Sequence, residues 1–115
     1  MRYLMMICVD EKWLGSLDEV EGPAMLARYG QFMQEMTTRG VLQGGERLYP
    51  TTDATTVRVR DGETVTSDGP FAETKEQVGG YYLVDCKDLD EAIEIAAQIP
   101  GAAHGSIEVR PIWEM

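Results

Sequence analysis

The sequence predicts an α+β fold: a ferredoxin-like split βαβ unit with an inserted β-hairpin. Three observations support this prediction: short apolar runs flanked by polar residues, two segments with apolar residues every three or four positions, and an Asp-Gly pair between β-branched residues. In chain order, the predicted elements are strand, helix, strand, hairpin, strand, helix and strand, with right-handed crossovers. At 115 residues the chain is long enough for one core and too short for two, so we expect a single domain, residues 1–115.

The first half of the chain contains the longest helical pattern. Residues 3–9, YLMMICV, predict a strand that is buried on both sides. Ser16 and Glu19 have the spacing of a capping box, and apolar residues then recur at helical spacing until Gly40. We therefore predict one helix of about five turns, with the Gly-Pro pair at 22–23 leaving its start open.

Glycine and proline divide the rest of the chain into short elements. Gly44 and Gly45 interrupt the second strand and indicate a bulge or a close approach to the backbone. Asp61-Gly62 predicts a two-residue hairpin turn. The remaining predicted elements are a short helical turn after Pro70, a strand at residues 79–86, a helix from Asp88–Glu91 to Pro100-Gly101, and a strand at residues 106–113.

The predicted strands are apolar on both faces, although two helices can cover only one face of the sheet. Alternate residues on both sides of two strands are apolar: Tyr3, Met5, Ile7 and Val9 against Leu4, Met6 and Cys8, and Tyr81 and Leu83 against Tyr82 and Val84. The simplest cover for the second face is the same surface of another copy, related by a two-fold axis. We therefore predict a homodimer.

The net charge and the N-terminal sequence limit which partners and which cellular location we expect. A formal net charge of −10 without a Lys/Arg cluster repels phosphate backbones and anionic lipid, so we expect neither a nucleic-acid nor a membrane partner. The apolar run at the N-terminus is too short to span a bilayer and resembles a buried strand more than a secretory signal. The expected location is the cytoplasm.

The two cysteines do not indicate a cofactor. Cys8 and Cys86 lie in apolar strand-like segments, without CxxC spacing and without a histidine nearby in sequence. We expect buried free thiols, no metal site and no cofactor.

Several motifs together resemble one family. ERLYP, VRVRDGETVTSDGPFAETKEQVGGYYLVD and IPGAAHGSIEVRPI, in this order and spacing, are similar to the bacterial DGPF-domain branch of the YCII-related proteins. The resemblance implies a dimeric α/β barrel built on a ferredoxin-like unit. It also implies a catalytic His/Asp pair in the related YCII branch, but Met25 and Ile99 occupy the matching positions here. Neither side chain exchanges protons, which argues against acid/base catalysis through that pair.

The tetrapeptide Asp68-Gly69-Pro70-Phe71 has two interpretations. In one it is a rigid turn, in which Asp68 caps the following backbone and Phe71 fills the core. In the other, glycine and proline hold Asp68 in a pocket as a carboxylate base or ligand anchor, with the neighbouring residues as ligand contacts.

Other charged residues supply further candidates. Arg47 and Lys75 can bind a carboxylate or phosphate, unless they pair with Glu46, Glu73 or Glu76 at the surface. Arg110 shares a strand face with Glu108, which indicates an ion pair first and a pocket residue second. His104, the only histidine, lies in a loop and is either solvated or a replacement acid/base partner for Asp68.

Two classes of function remain open. As an enzyme, the chain would be a lyase or isomerase acting on a small acidic or carbonyl compound, with Asp68 as base and Arg47 or Lys75 as anion contact. As a binding protein, it would hold such a metabolite near the DGPF motif without turnover. Within the binding class, the resemblance also implies a ligand-sensing module beside sigma-factor-type regulators. The missing dyad favours binding, although fold alone does not decide.

Overall fold

The computed structural model describes all 115 residues and has a four-stranded antiparallel sheet in the order β2-β5-β1-β6, with a separate hairpin, β3-β4. This mixed architecture is consistent with the predicted ferredoxin-like order. The strands are β1 (Arg2–Val9), β2 (Leu42–Arg47), β3 (Thr55–Arg60), β4 (Glu63–Asp68), β5 (Gln77–Asp85) and β6 (Ser106–Pro111). The helices are α1 (Glu11–Gly15), α2 (Glu21–Thr38) and α3 (Leu89–Ala97), with 3₁₀ turns at Thr51–Asp53 and Pro100–Ala103.

The core lies between one face of the sheet and the helices. Alternate residues of β1 are buried, and Tyr82 and Val84 of β5 are buried on the same side. Phe32 of α2 packs on Tyr82 with ring centroids 5.1 Å apart, and Ile95 of α3 is fully buried. Burial of such side chains contributes roughly 1.5–3 kcal/mol each, so this layer is the main source of stability.

The predicted helix of about five turns is α2, Glu21–Thr38, but the expected Ser16 cap is wrong and α1 was not predicted. The chain forms α1 directly after β1 and then α2, separated by residues 16–20. The Ser16 hydroxyl donates to the Trp13 carbonyl and closes α1, so it does not cap α2. Instead the Asp18 carboxylate accepts from the N–H groups of Val20 and Glu21, and these bonds hold the pKa of Asp18 below its usual value. Aspartate is as good a capping residue as serine.

The turns around the second strand confirm two predictions. The register of β2 against β5 shifts between Leu42 and Gly44, and a Cβ on Gly45 would overlap the Tyr82 ring. Asp61 and Gly62 both have positive φ, 52° and 78°, as a type I′ hairpin turn requires.

The C-terminal helix begins as predicted, but the segment after Pro70 differs. The Asp88 side chain accepts from the Glu91 N–H, and the Glu91 side chain accepts from the Lys87 N–H, so a reciprocal cap starts α3. No helical turn follows Pro70; residues 70–76 form bends that lead into β5. None of the helices combines the length and the apolarity needed to cross a lipid bilayer.

The second face of the sheet carries no helix. In register, Leu4 lies opposite Leu83, and Met6 lies opposite Tyr81. These four side chains and Cys8 are half-buried in the single chain. We call these five residues the open face. Cys8 is a free thiol there, whereas the free thiol of Cys86 is buried in the core.

Candidate functional site

A polar cleft of about 530 Å³ lies between α1 and the segment that follows Pro70. No hydrophobic side chain lines it. The lining residues are Asp10, Glu11, Lys12, Thr51, Pro70, Glu73, Thr74, Lys75 and Gln77. The cleft therefore joins the end of β1, the 3₁₀ turn after β2, and the segment between β4 and β5.

The wall formed by α1 is fixed by carboxylate hydrogen bonds. The Asp10 carboxylate accepts from the Lys12 N–H at 3.0 Å and caps α1. The Glu11 carboxylate accepts from the N–H of Thr51 at 2.8 Å and from its hydroxyl. Glu11 thus ties α1 to the 3₁₀ turn forty positions away, and both of its oxygens already have partners.

The opposite wall is held by side chain to backbone bonds. The Gln77 amide donates to the carbonyls of Ala72 and Thr74, at 3.3 and 3.2 Å. The Thr74 hydroxyl donates to the Glu76 carbonyl. These bonds give residues 72–77 a defined path without regular secondary structure, so the loop presents Glu73 and Lys75 in a fixed arrangement.

Two lysines give the cleft its capacity for anions. Lys12 and Lys75 both line it, and neither forms an ion pair within the chain. The third lysine, Lys87, lies outside it. Glu73 is the one cleft carboxylate without a hydrogen-bond donor. Two ammonium groups and one carboxylate without a hydrogen-bond donor on the lining of one cleft suit a ligand that carries an acidic group and a donor group.

The DGPF tetrapeptide contributes only its proline to the cleft. Gly69 has a φ of 93°, its N–H donates to Ala54, and its carbonyl accepts from the Thr56 hydroxyl. Glycine is required here because other residues rarely adopt this conformation. Asp68 is exposed at the end of β4 and does not cap the turn through its side chain. Phe71 is 82% exposed and does not fill the core.

The two candidate arginines lie away from the cleft. Arg47 is the last residue of β2 and lies opposite Gly80, which also lies opposite the core residue Ile7, so Arg47 is on the helix side of the sheet. Arg110 lies on the second face of the sheet with its Nε 3.9 Å from a Glu108 carboxylate oxygen. This is the ion pair that we predicted from the position of Glu108 and Arg110 on one face of the strand.

His104 stacks on Trp13, with ring centroids 4.4 Å apart and planes inclined by 21°. The ring is exposed and forms no hydrogen bond with Asp68. The stack joins the loop before β6 to α1, whose residues Glu11 and Lys12 line the cleft. His104 is therefore placed to position the α1 wall, and the structure does not bring it together with Asp68.

The two positions that the resemblance matches to the His/Asp pair of the YCII branch are buried and apolar. Met25 is 6% exposed on α2 and Ile99 is 1% exposed after α3. No group of three or more His, Cys, Asp or Glu side chains is arranged to hold a metal ion. The cleft can thus supply charge and hydrogen bonds, but it contains no paired proton donor and acceptor of the kind that the dyad provides.

Of the residues predicted to contact a ligand, Pro70 and Lys75 line the cleft, whereas Lys12, which also lines it, was not predicted. The residues after β1 were expected to be a connection to a later helix, so Lys12 carried no assigned role. Its position directly after a buried strand was the available signal, because functional side chains concentrate where strands end.

Comparisons with known proteins give a family match and a similar protein. The whole chain, residues 1–115, matches the YCII-related domain. An uncharacterised protein of Rhizobium meliloti (strain 1021) is 40% identical over 114 residues, covering 97% of this chain and 92% of that protein. A family match over the full length, together with this degree of identity, is sufficient for assignment: the chain belongs to the YCII-related domain family.

Proposed function

We propose that the chain is a single-domain member of the DGPF branch that binds a small acidic metabolite in the cleft beside Pro70. One observation carries the proposal: two of the three lysines, Lys12 and Lys75, line a cleft without hydrophobic side chains, and neither has an ion-pair partner. In a chain of net charge −10, these two ammonium groups supply the cationic contacts of a concave surface that also carries three carboxylates, those of Asp10, Glu11 and Glu73.

The contacts available define the ligand class. A carboxylate or phosphate accepts hydrogen bonds from the Lys12 and Lys75 ammonium groups. Glu73 accepts from a hydroxyl or amino group of the same ligand. Both oxygens of the Glu11 carboxylate already accept hydrogen bonds from Thr51. Glu11 therefore fixes the wall of the cleft, and the charges of the two lysines stay available to a ligand.

Binding without turnover is the function that these residues support. Asp68 does not line the cleft, and His104 stacks on Trp13 instead of facing a carboxylate. A general base must reach the proton that it removes, directly or through one water molecule. Met25 and Ile99 replace the dyad with apolar side chains.

The assembly that fits this function is a cytoplasmic homodimer in which the open faces of two copies pack together as a dimeric α/β barrel. The middle of the face is apolar, whereas Glu46 and Glu108 lie on its outer strands. An apolar centre with a polar rim is the usual anatomy of a protein interface.

Ligand binding is tested with matched lysine variants. Succinate, pyruvate and inorganic phosphate are titrated into the protein by calorimetry, and native mass spectrometry of freshly purified protein identifies any retained molecule. Lys75→Ala and Lys12→Ala each remove one charged contact, and we expect Kd to rise about tenfold or more for the best probe, since a lost charge-assisted bond is worth about 1.5–3 kcal/mol.

Lys87→Ala is the control, because it removes the same charge outside the cleft. Its Kd should stay within about twofold of wild type, which corresponds to less than about 0.5 kcal/mol. If the Lys87 variant loses as much affinity as the other two, the effect is one of net charge and the cleft is not the site. Unchanged affinity in the Lys75 variant would also refute the proposal.

A further inference from the structure

The β3-β4 hairpin stands apart from the rest of the chain. Its two strands pair only with each other, and of its strand residues all except Thr56 are exposed. A two-stranded hairpin that is solvated on both faces is marginally stable in water. The hairpin therefore lacks the cover that a stable strand pair requires, and its own chain does not supply it.

One face of the hairpin is uncharged over most of its length. Val57 lies opposite Thr66, and Val59 lies opposite Thr64. Directly opposed residues of an antiparallel pair share a face, so these four side chains form one strip. Val57 and Val59 are 59% and 61% exposed. This strip can enter an interface without desolvating a charge.

The other face is charged. Arg58 lies opposite Val65, and Arg60 lies opposite Glu63. Neither arginine forms an ion pair within the chain, so burying this face would require unpaired guanidinium groups to lose water. The uncharged face of the hairpin can therefore be buried at a lower cost than the charged face. Val65 is an apolar residue on the charged face.

The exposed area of the chain matches the requirement of a dimer. The accessible surface is 8060 Å², whereas a monomer of 12.8 kDa is expected to expose about 6,300 Å². The excess is about 1,800 Å² per chain. Twice this area, for two copies, lies in the range of surface that obligate dimers bury. The open face is already half-buried in the single chain, so it supplies only part of this excess.

We propose that the hairpin is an interface arm that packs its Val57/Val59 face against a second copy of this chain. This inference rests on the homodimer of the proposed function and extends its interface beyond the open face. We assign the partner as a second copy because the excess area of two chains lies within the range that obligate dimers bury. Two chains of net charge −10 repel each other, so they associate through uncharged surfaces such as this strip.

The test compares two sets of valine variants on opposite faces of the hairpin. Val57→Thr with Val59→Thr keeps side-chain shape and strand preference while replacing two methyl groups by hydroxyls. Val65→Thr makes the same change on the charged face. Sedimentation equilibrium then gives the dimer dissociation constant. We expect a rise of tenfold or more for the double variant and less than twofold for the control.

A second measurement follows the hairpin itself. Backbone amides of β3 and β4 should exchange hydrogen slowly in the wild-type dimer and faster when the protein is diluted below its dissociation constant. Fast exchange of these amides in the intact dimer would overturn the proposed arm. An unchanged dissociation constant in the double variant would overturn it as well, and so would an equal rise of the dissociation constant in the double variant and in Val65→Thr. A wild-type monomer at micromolar concentration would overturn both the arm and the homodimer. Succinate, pyruvate or phosphate binding at the Lys75 cleft is measured separately and is independent of these outcomes.

Discussion

Gly105 lies where the chain enters β6, against the backbone of β1. A Cβ at this position would overlap the Cys8 carbonyl oxygen and crowd the Val9 Cα, and backbone atoms cannot move aside as a flexible side chain can. We expect Gly105→Ala to lower the free energy of unfolding by about 3 kcal/mol, at the upper end for overpacking. Urea denaturation followed by circular dichroism measures the change.

Gly30 is the matched control for that substitution. It is exposed within α2, and an added methyl group meets no other atom. Gly30→Ala should raise the free energy of unfolding by about 0.5–1 kcal/mol, because alanine loses less backbone entropy than glycine in a helix. Equal changes of the same sign at both positions would contradict the contact at Gly105.

Tyr82 makes the stability of the folded protein depend on pH in the alkaline range. Burial raises the pKa of Tyr82 to about 12 from a usual value of 10.0. Between these values the folded protein keeps a proton that the unfolded chain has lost, so stability falls as the pH rises from about 10 to about 12. The largest loss that a shift of this size allows is about 3 kcal/mol.

Unfolding free energies at several alkaline pH values measure this dependence. Tyr82→Phe removes the titrating hydroxyl and should flatten the slope, whereas Tyr49→Phe removes an exposed hydroxyl and should leave the slope as in wild type. Tyr3 and Tyr29 also have pKa values raised by burial, so a smaller slope remains in the Tyr82 variant. An unchanged slope in that variant would refute the assignment.

At the scale of elements, local patterns predicted the structure wherever one signal dominated. β1, the hairpin turn at Asp61-Gly62 and the start of α3 follow from a short apolar run, turn residues and a capping pair. The division between α1 and α2 was missed because two capping residues compete. Ser16 closes α1 through the Trp13 carbonyl, and Asp18 starts α2. A sequence shows both residues but does not show which backbone groups each one reaches.

The cleft was harder to predict than the sheet because it is built from distant segments. Lys75 and Pro70 were identified from their own short stretch, but Lys12 lies near them because β1 pairs with β5, with Val9 opposite Gln77. Phe71 was expected to fill the core in one interpretation, yet it is exposed beside a turn that backbone bonds of Gly69 hold. Pairing between remote segments is set by tertiary contacts, which local patterns do not encode.

At the scale of the whole molecule, the single chain is broad and thin. Its extents are 48 × 44 × 18 Å and its radius of gyration is 16.0 Å, whereas a compact domain of this length has a radius of about 13 Å. A sheet with helices on one face accounts for the thickness, and the projecting hairpin adds to the breadth. This shape leaves the open face and the uncharged strip of the hairpin without cover.

If two copies supply that cover, unfolding is coupled to dissociation and stability depends on protein concentration. The urea midpoint should then rise with concentration, by an amount equivalent to about 1.4 kcal/mol for each tenfold increase. Denaturation curves recorded at several concentrations across the micromolar range measure the shift. Val65→Thr should show the same dependence, since it leaves the interface intact. A midpoint that stays constant over a hundredfold range of concentration would mean that the chain folds alone, and that the half-buried face of the sheet is stable in water.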